Sequence, residues 1–402
     1  MNRIFVALAL AGSGFFAQAQ GGNPIKIVGT FDLSGPAADV GKDALAGVNF
    51  AIDTVNRTGG VLGRPLVLEH QDNGSNPQRA VGQAGALIGS DAPLLIGPMS
   101  SASAIAVNKA VTAKNKTPTC VSTSVADDMT MKDFNPYVFQ VTPNSWMEGH
   151  AMAARFAKLP YKRYAIVSAD YAGGRLGVSR FRDRLKELNP GVEIVVEEYP
   201  KFGATDYTAS INKLLAAKPD YVFSSLFGSD LLTFSKQAKA VDFFKQINNH
   251  FIALYDFNTL KALGDNAPVG TDGWQRAPAS QFVKSAEGRV FVDQFKAKNG
   301  GYPSDWAAMA YDCVTTWAQA ANAAKSIQSD AVMKQIESIE FKSPRGAFRF
   351  QKYDHQADVP TYVGKVEMSS EFAQPILNIT DIVPASAGRP SEAVVLKVRS
   401  AN

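Results

Sequence analysis

The residues whose types and spacing could do chemistry in this sequence are short polar runs that follow apolar ones. Gly97-Pro98-Met99-Ser100-Ser101 stands between the apolar run Pro93-Leu94-Leu95-Ile96 and a helical pattern from Ala102 to Ala113. With a strand before it and a helix after it, Met99 to Ser101 would gather free amides, a helix dipole and two hydroxyls at one point. That donor set suits a carboxylate. Thr123 and Ser124 follow the apolar run ending at Val121 in the same way. Tyr171 comes after the run ending at Val167, and Phe227 after the run ending near Phe223. Aromatic rings at such positions can stack on an apolar ligand.

Other chemistries lack their signatures. The four histidines, His70, His150, His250 and His355, have no metal-ligand spacing, and no Gly-x-Ser-x-Gly nucleophile elbow occurs. Gly59-Gly60-Val61-Leu62-Gly63 precedes a strand pattern rather than a helix, so it is no dinucleotide loop, and Asp127-Asp128 reads as a helix start. Neither an enzyme nor a metal or cofactor site is expected. Reversible binding is the chemistry that remains.

The elements that must position these residues alternate along the chain. Strand patterns at Ile25 to Gly29, Pro65 to Leu68, Pro93 to Ile96 and Pro118 to Val121 are separated by helical ones at Asp39 to Asn56, Pro77 to Ile88 and Ala102 to Ala113. The rhythm restarts after Thr142, with strands at Tyr164 to Val167, Val192 to Val196, Asp220 to Phe223 and Phe251 to Leu254. Short, continuous apolar strands between helices belong to parallel sheets covered on both faces. The fold class expected is α/β, with two doubly wound parallel-sheet lobes joined by a hinge. Later helices (287–298, 306–324, 332–339) have no intervening strands, so the chain must return to the first lobe. Gly346 to Phe350 and Thr361 to Val366 alternate as antiparallel strands do. The boundaries expected are residues 24–142 plus 276–345 for the first lobe and 143–275 plus 346–383 for the second. A C-terminal tail at 384–402 follows.

Composition agrees with an exported globular chain. Of the 402 residues, 46% are hydrophobic and 19% charged, which excludes disorder. The net charge of +4 is spread along the sequence, which argues against a nucleic-acid or membrane-surface partner. Met1-Asn2-Arg3, the uncharged stretch Ile4 to Phe16 and Ala17-Gln18-Ala19 read as a signal peptide over residues 1–19. No later segment is long and apolar enough to span a bilayer, so a soluble, exported monomer is expected. Cys120 and Cys313 are the only cysteines, and each lies in an apolar run; buried free thiols are expected.

Several motifs, in order, carry a resemblance. Gly29-Thr30-Phe31-Asp32-Leu33-Ser34-Gly35-Pro36 with Gly41, Gly59-Gly60 and Gly63, then Asp72-Asn73 with Pro77, are the first of them. Gly97-Pro98-Met99-Ser100-Ser101, Val121-Ser122-Thr123-Ser124, Asp354-His355-Gln356 and Pro360-Thr361-Tyr362-Val363-Gly364 complete the set. From about Ile25 to Val366 the chain resembles the leucine/isoleucine/valine-binding protein family, the type I periplasmic binding proteins of ABC importers. The resemblance implies a non-enzymatic, periplasmic solute-binding protein whose lobes close over a small carboxylate and whose partner is an inner-membrane ABC permease. It implies a site built from Met99, Ser100, Ser101, Thr123, Ser124, Tyr171, Phe227, Tyr255 and Asp256.

The departures bear on the ligand. The family's ammonium-binding Thr falls on Val125 by ungapped alignment, and Thr123 or Ser124 would replace it. Its ammonium-binding Glu falls on Tyr255, with Asp256 beside it. A first-lobe aromatic is Val40 here, and the family's first-lobe disulfide positions fall on Ser75 and Ser100. If Asp256 meets an ammonium, the ligand is a branched-chain or aromatic amino acid. If Tyr255 and the hydroxyls dominate, it is an aromatic or other small acid without an amine; the alternative role the same fold would serve is a soluble ligand sensor docking on a membrane receptor.

Overall fold

Short apolar runs build two sheets of the same winding. The computed structural model describes residues 22–89 and 91–401, so the signal-peptide reading at 1–19 lies outside the described residues. The first sheet contains β1 (Ile25–Phe31), β2 (Leu66–Asp72), β3 (Leu95–Ile96), β4 (Thr119–Val121) and β5 (Val138–Gln140), in the order β2-β1-β3-β4-β5. All of its pairs are parallel. The second contains β6 (Arg163–Val167), β7 (Glu193–Glu198), β8 (Tyr221–Ser224), β9 (Phe251–Leu254) and β10 (Asp272–Gln275) in the corresponding parallel order, β7-β6-β8-β9-β10. β11 (Thr361–Ser369) and β12 (Gln374–Val383) extend it as an antiparallel edge. Each parallel order reverses direction at one place, between β1 and β3 and between β6 and β8. At such places the carboxyl ends of the strands leave a crevice for ligands.

Packing follows from the apolar spacing of the helices. Helix Ala38–Arg57 buries Val40, Ala44, Val48, Ala51 and Val55. Helix Asp305–Ala324 is buried over most of its length and crosses it closely. The bare backbone of Gly47 permits the crossing, since a methyl there would lie 2.0 Å from the Ala307 carbonyl oxygen.

Three expectations are corrected. Cys120 on β4 and Cys313 on helix Asp305–Ala324 are not free thiols: they form a disulfide, with Cα atoms 5.6 Å apart. The helix packs across the sheet and sets the two side chains face to face. Gly346 to Phe350 makes only isolated bridges, Phe341 with Phe348 and Phe350 with Ala357, and Gln356 bridges to Gln140 of the first sheet. Residues 346–359 therefore belong to the first lobe, and the return to the second comes at about Pro360. Thirdly, residues 384–401, read as part of a tail, pack on the body. Arg399 donates to the carbonyls of Thr130 and Met131 at 3.0 Å and lies 3.8 Å over the Phe134 ring, which docks helix Glu392–Ser400 on the first lobe.

Three segments cross between the lobes, near 141–145, 275–278 and 357–361. A buried ion pair, Arg345 with Asp312, sits beside the first, and Arg345 Nη2 also donates to the Val141 carbonyl at 2.9 Å. Gln356 Nε2 donates to the Thr142 carbonyl at 2.8 Å. Away from the crossings, Asn258 of the second lobe donates to Asp43 Oδ2 of the first at 2.8 Å. Burial pushes the Asp43 carboxyl up to about 6, and the charges of Asp256 and Asp39 add to the rise.

Two predictions follow from these contacts. Protein denatured without reductant should expose no titratable thiol, and Cys120→Ala/Cys313→Ala should lower first-lobe stability by about 2–5 kcal/mol. Thiols that react before reduction would contradict the pairing. Asp43 has a folded pKa above its unfolded value, so the stability it contributes is full below about pH 4 and is lost as pH rises through about 6. Unfolding midpoints measured across that window should therefore fall less steeply in Asp43→Asn than in the parent; parallel profiles would contradict this.

Candidate binding site between the lobes

The strand-end loops of the two sheets meet around a small cavity of about 40 Å³. From the first lobe, the turn after β3 brings Met99, Ser100 and Ser101 to its wall, and the turn after β4 brings Thr123 and Val125. Helix Ser101–Val107 continues through a wider-turned stretch, Asn108–Thr112, to Asn115, and no side chain caps its start. The second lobe contributes the start of helix Ala172–Leu188, also without a side-chain cap, which brings Gly173 against Ser101. Two helix N-termini from opposite lobes thus converge on one space, each equivalent to about half a positive charge.

The polar groups divide into those held by the protein and those left for a ligand. The Met99 amide already donates to Asp32 Oδ1 at 3.1 Å, and burial raises that carboxyl. Met99 therefore acts through its side chain and its position, not as a free amide. The Thr123 hydroxyl donates to the Met99 carbonyl at 3.1 Å, and Ser100 donates to Ser103 at 2.8 Å. Ser101 accepts from Ser124 at 3.2 Å, which leaves the Ser101 proton to donate. Ser124 lies behind Ser101 and does not line the cavity.

The opposite wall is aromatic. Tyr171 stacks on Phe202 with centroids 4.9 Å apart, Phe227 lies 5.7 Å from Tyr171, and Trp306 lies 6.0 Å from Phe227. Tyr171 and Phe227, each expected on a strand-end loop, lie side by side in the cavity wall, and Phe202 and Trp306 join them.

Tyr255 and Asp256 are placed elsewhere. Neighbouring residues of a strand face opposite sides. Leu254 faces the cavity, so Tyr255 turns into the second-lobe core and is fully buried there. Asp256 caps helix Phe257–Leu263, accepting from the amides of Asn258 at 3.0 Å and Thr259 at 3.1 Å and from the Thr259 hydroxyl. It borders a neighbouring hollow with Lys42 and Asp43, and Trp306 and Val40 line both spaces.

Sequence reasoning missed the charged pair in the wall. Arg276, just after β10, donates through Nε and Nη2 to the two oxygens of Glu148, both at 2.7 Å. Both side chains are nearly buried, at 6% and 10% exposure. Burial acts to lower the Arg276 pKa, but the Glu148 carboxylate outweighs it. The Arg276 amide is held by Asp305 at 2.6 Å, and its guanidinium lies 5.2 Å from the Trp306 ring. Among the described residues, Nη1 of Arg276 has no hydrogen-bond partner. Among the described residues, Glu148 and Arg276 are the only charged ones lining the cavity. No cluster of His, Cys, Asp or Glu among the described residues could hold a metal.

Comparison with known proteins accords with this architecture. Residues 24–371 match the family described as periplasmic binding protein. A leucine-, isoleucine-, valine-, threonine- and alanine-binding protein of Pseudomonas aeruginosa is 23% identical over 365 residues, 90% of this chain and 94% of that one. An ABC transporter substrate-binding protein from Sphaerobacter thermophilus superposes with a TM-score of 0.79 at 25% identity, covering 90% of this chain and 98% of that one. An ABC-type branched-chain amino acid transporter protein from Rhodopseudomonas palustris gives 0.70 at 25%, covering 91% and 98%. By their names the first is an amino-acid-binding protein and the other two belong to ABC transporters. The chain belongs to the periplasmic binding protein family.

Proposed function

We propose that this protein captures a small aromatic carboxylate without an amine in the periplasm and presents it to an inner-membrane ABC permease. The observation that carries the reading is the charge state of the cavity wall. Among the described residues its one carboxylate, Glu148, is held at both oxygens by Arg276, so an ammonium would meet no free anion there. A carboxylate would meet the Ser101 hydroxyl, two helix N-termini and the unpartnered Nη1 of Arg276. Charge-assisted hydrogen bonds of this kind contribute about 1.5–3 kcal/mol each. Stacking on the Tyr171, Phe202 and Phe227 wall adds roughly 0.5–1.5 kcal/mol per ring pair. Together these reach the roughly 8 kcal/mol of micromolar binding.

A second reading is favoured by the name of the Pseudomonas aeruginosa relative, which binds amino acids. A zwitterion could insert between Arg276 and Glu148, its carboxylate to the first and its ammonium to the second. That exchange requires opening a buried bidentate pair.

Calorimetry on the mature protein separates the two. Benzoate should bind with micromolar affinity and leucine at least about tenfold more weakly; the reverse order would favour the amino acid. Ser101→Ala should weaken the better ligand about tenfold, roughly 1.4 kcal/mol, with little change in the thermal midpoint of the free protein. Undiminished affinity would remove Ser101 from the site.

A further inference from the structure

Where the second lobe meets the first, its strand-end loops present glycine. After β6, a methyl on Gly173 would lie 2.6 Å from Ser101 Oγ and 3.0 Å from Val125 Cγ2, and 2.9 Å from Cε2 of Tyr171 in its own lobe. After β7, one on Gly203 would lie 3.1 Å from Pro36 Cβ; after β8, one on Gly228 would lie 3.9 Å from Val40 Cγ2. Pro36, Val40, Ser101 and Val125 all belong to the first lobe, so these glycines form a seam along which the lobes shut.

We infer that Gly173 is the positioning residue that sets how far the lobes close, and through closure the hold on the solute. Carbon atoms in contact stand about 3.5–4.0 Å apart, so a side chain at Gly173 would stand roughly half an ångström too close to Val125, and the facing wall must give way for the lobes to shut fully. Val125 is β-branched and stiff, and cannot swing aside. The Ser101 hydroxyl is held by Ser124. A displacement of that size at Ser101 takes a hydrogen bond out of its range of about 2.5–3.0 Å. The same absence of a side chain lets the start of helix Ala172–Leu188 approach the start of helix Ser101–Val107.

Gly173 separates this steric role from backbone strain. Gly203 and Gly228 have φ of +77° and +52°, so a side chain at either strains the backbone whatever the space. Gly173 is not in that region. Gly177, one turn along the same helix, lines the cavity, and a methyl there would meet only Ser225 Oγ, at 3.8 Å. Gly177→Ala therefore fills the cavity and leaves the seam alone.

The affinity consequence rests on the solute-binding reading, whereas closure can be tested without a ligand. Asp43→Cys/Asn258→Cys replaces a pair that meets across the lobes by two thiols, and its rate of oxidative cross-linking reports how often the lobes shut. Adding Gly173→Val should slow that cross-linking at least about tenfold, Gly173→Ala should slow it less, and Gly177→Ala should leave it unchanged. In the protein without the added cysteines, Gly173→Val should weaken benzoate at least about tenfold, with an unchanged thermal midpoint in the free state. Cross-linking as fast in Gly173→Val as in the parent pair would overturn the inference, even if no tested acid binds. A Gly173→Val protein that does not fold leaves Gly173→Ala to decide by the same rate. If the parent binds neither benzoate nor leucine while cross-linking slows as expected, the ligand reading fails and the seam stands.

Discussion

The buried pair between Arg276 and Glu148 is the interaction on which the rest of the cleft depends. Glu148 follows the first crossing between the lobes and Arg276 opens the second, so one ion pair ties two crossing segments together. Removing two charges from water is costly, and such a pair persists only with near-ideal geometry and further support. Both conditions are met. The contact is bidentate, Asp305 holds the Arg276 amide, and the Trp306 ring covers the guanidinium. Burial pushes the Asp305 carboxyl up to about 7. The pair leaves a wall that is neutral overall, with one donor of Arg276 still available. On the proposed reading, this balance, more than any single hydroxyl, would select for an anion and against an ammonium.

Closure acts against this fixed wall. The first lobe is braced internally by the disulfide between Cys120 and Cys313, which joins segments on either side of the second lobe's parallel strands β6 to β10 in sequence. That bond lies within one lobe and leaves the hinge free. The moving parts are rigid sheets with helices on both faces, joined by a few crossing residues, the usual construction for hinge closure around a ligand. The shut cavity of about 40 Å³ is narrow, so a solute must enter while the lobes are apart. Binding energy gained from donors on both lobes is then what favours the shut form.

Much of the fold was legible because buried parallel strands are short, apolar and set between helices. The place of the turn after β3 and of the rings of Tyr171 and Phe227 in the cavity wall was legible for a related reason: strand-end loops are where such folds place their ligands. What stayed hidden depended on register and on distance along the chain. β9 is apolar on both faces, with Ile252 and Leu254 in one core and Phe251, Ala253 and Tyr255 in the other. No alternation in the sequence could tell which neighbour faced the cavity. Arg276 and Glu148 lie 128 residues apart, and Cys120 and Cys313 193 apart, so only the packed structure brings each pair together. The short strands β5 and β10 and the docked C-terminal helix carry weak local patterns, and tertiary contacts decide them.

The central claim is that a carboxylate is held between Ser101 and Arg276 inside the shut cleft, with an aromatic ring against Tyr171, Phe202 and Phe227. A crystal structure of the mature protein grown with benzoate tests it most directly. The account predicts benzoate in the cavity with its carboxylate about 3 Å from the Ser101 hydroxyl and the guanidinium. Benzoate bound outside the cleft, or with its carboxylate turned away from both groups, would contradict it.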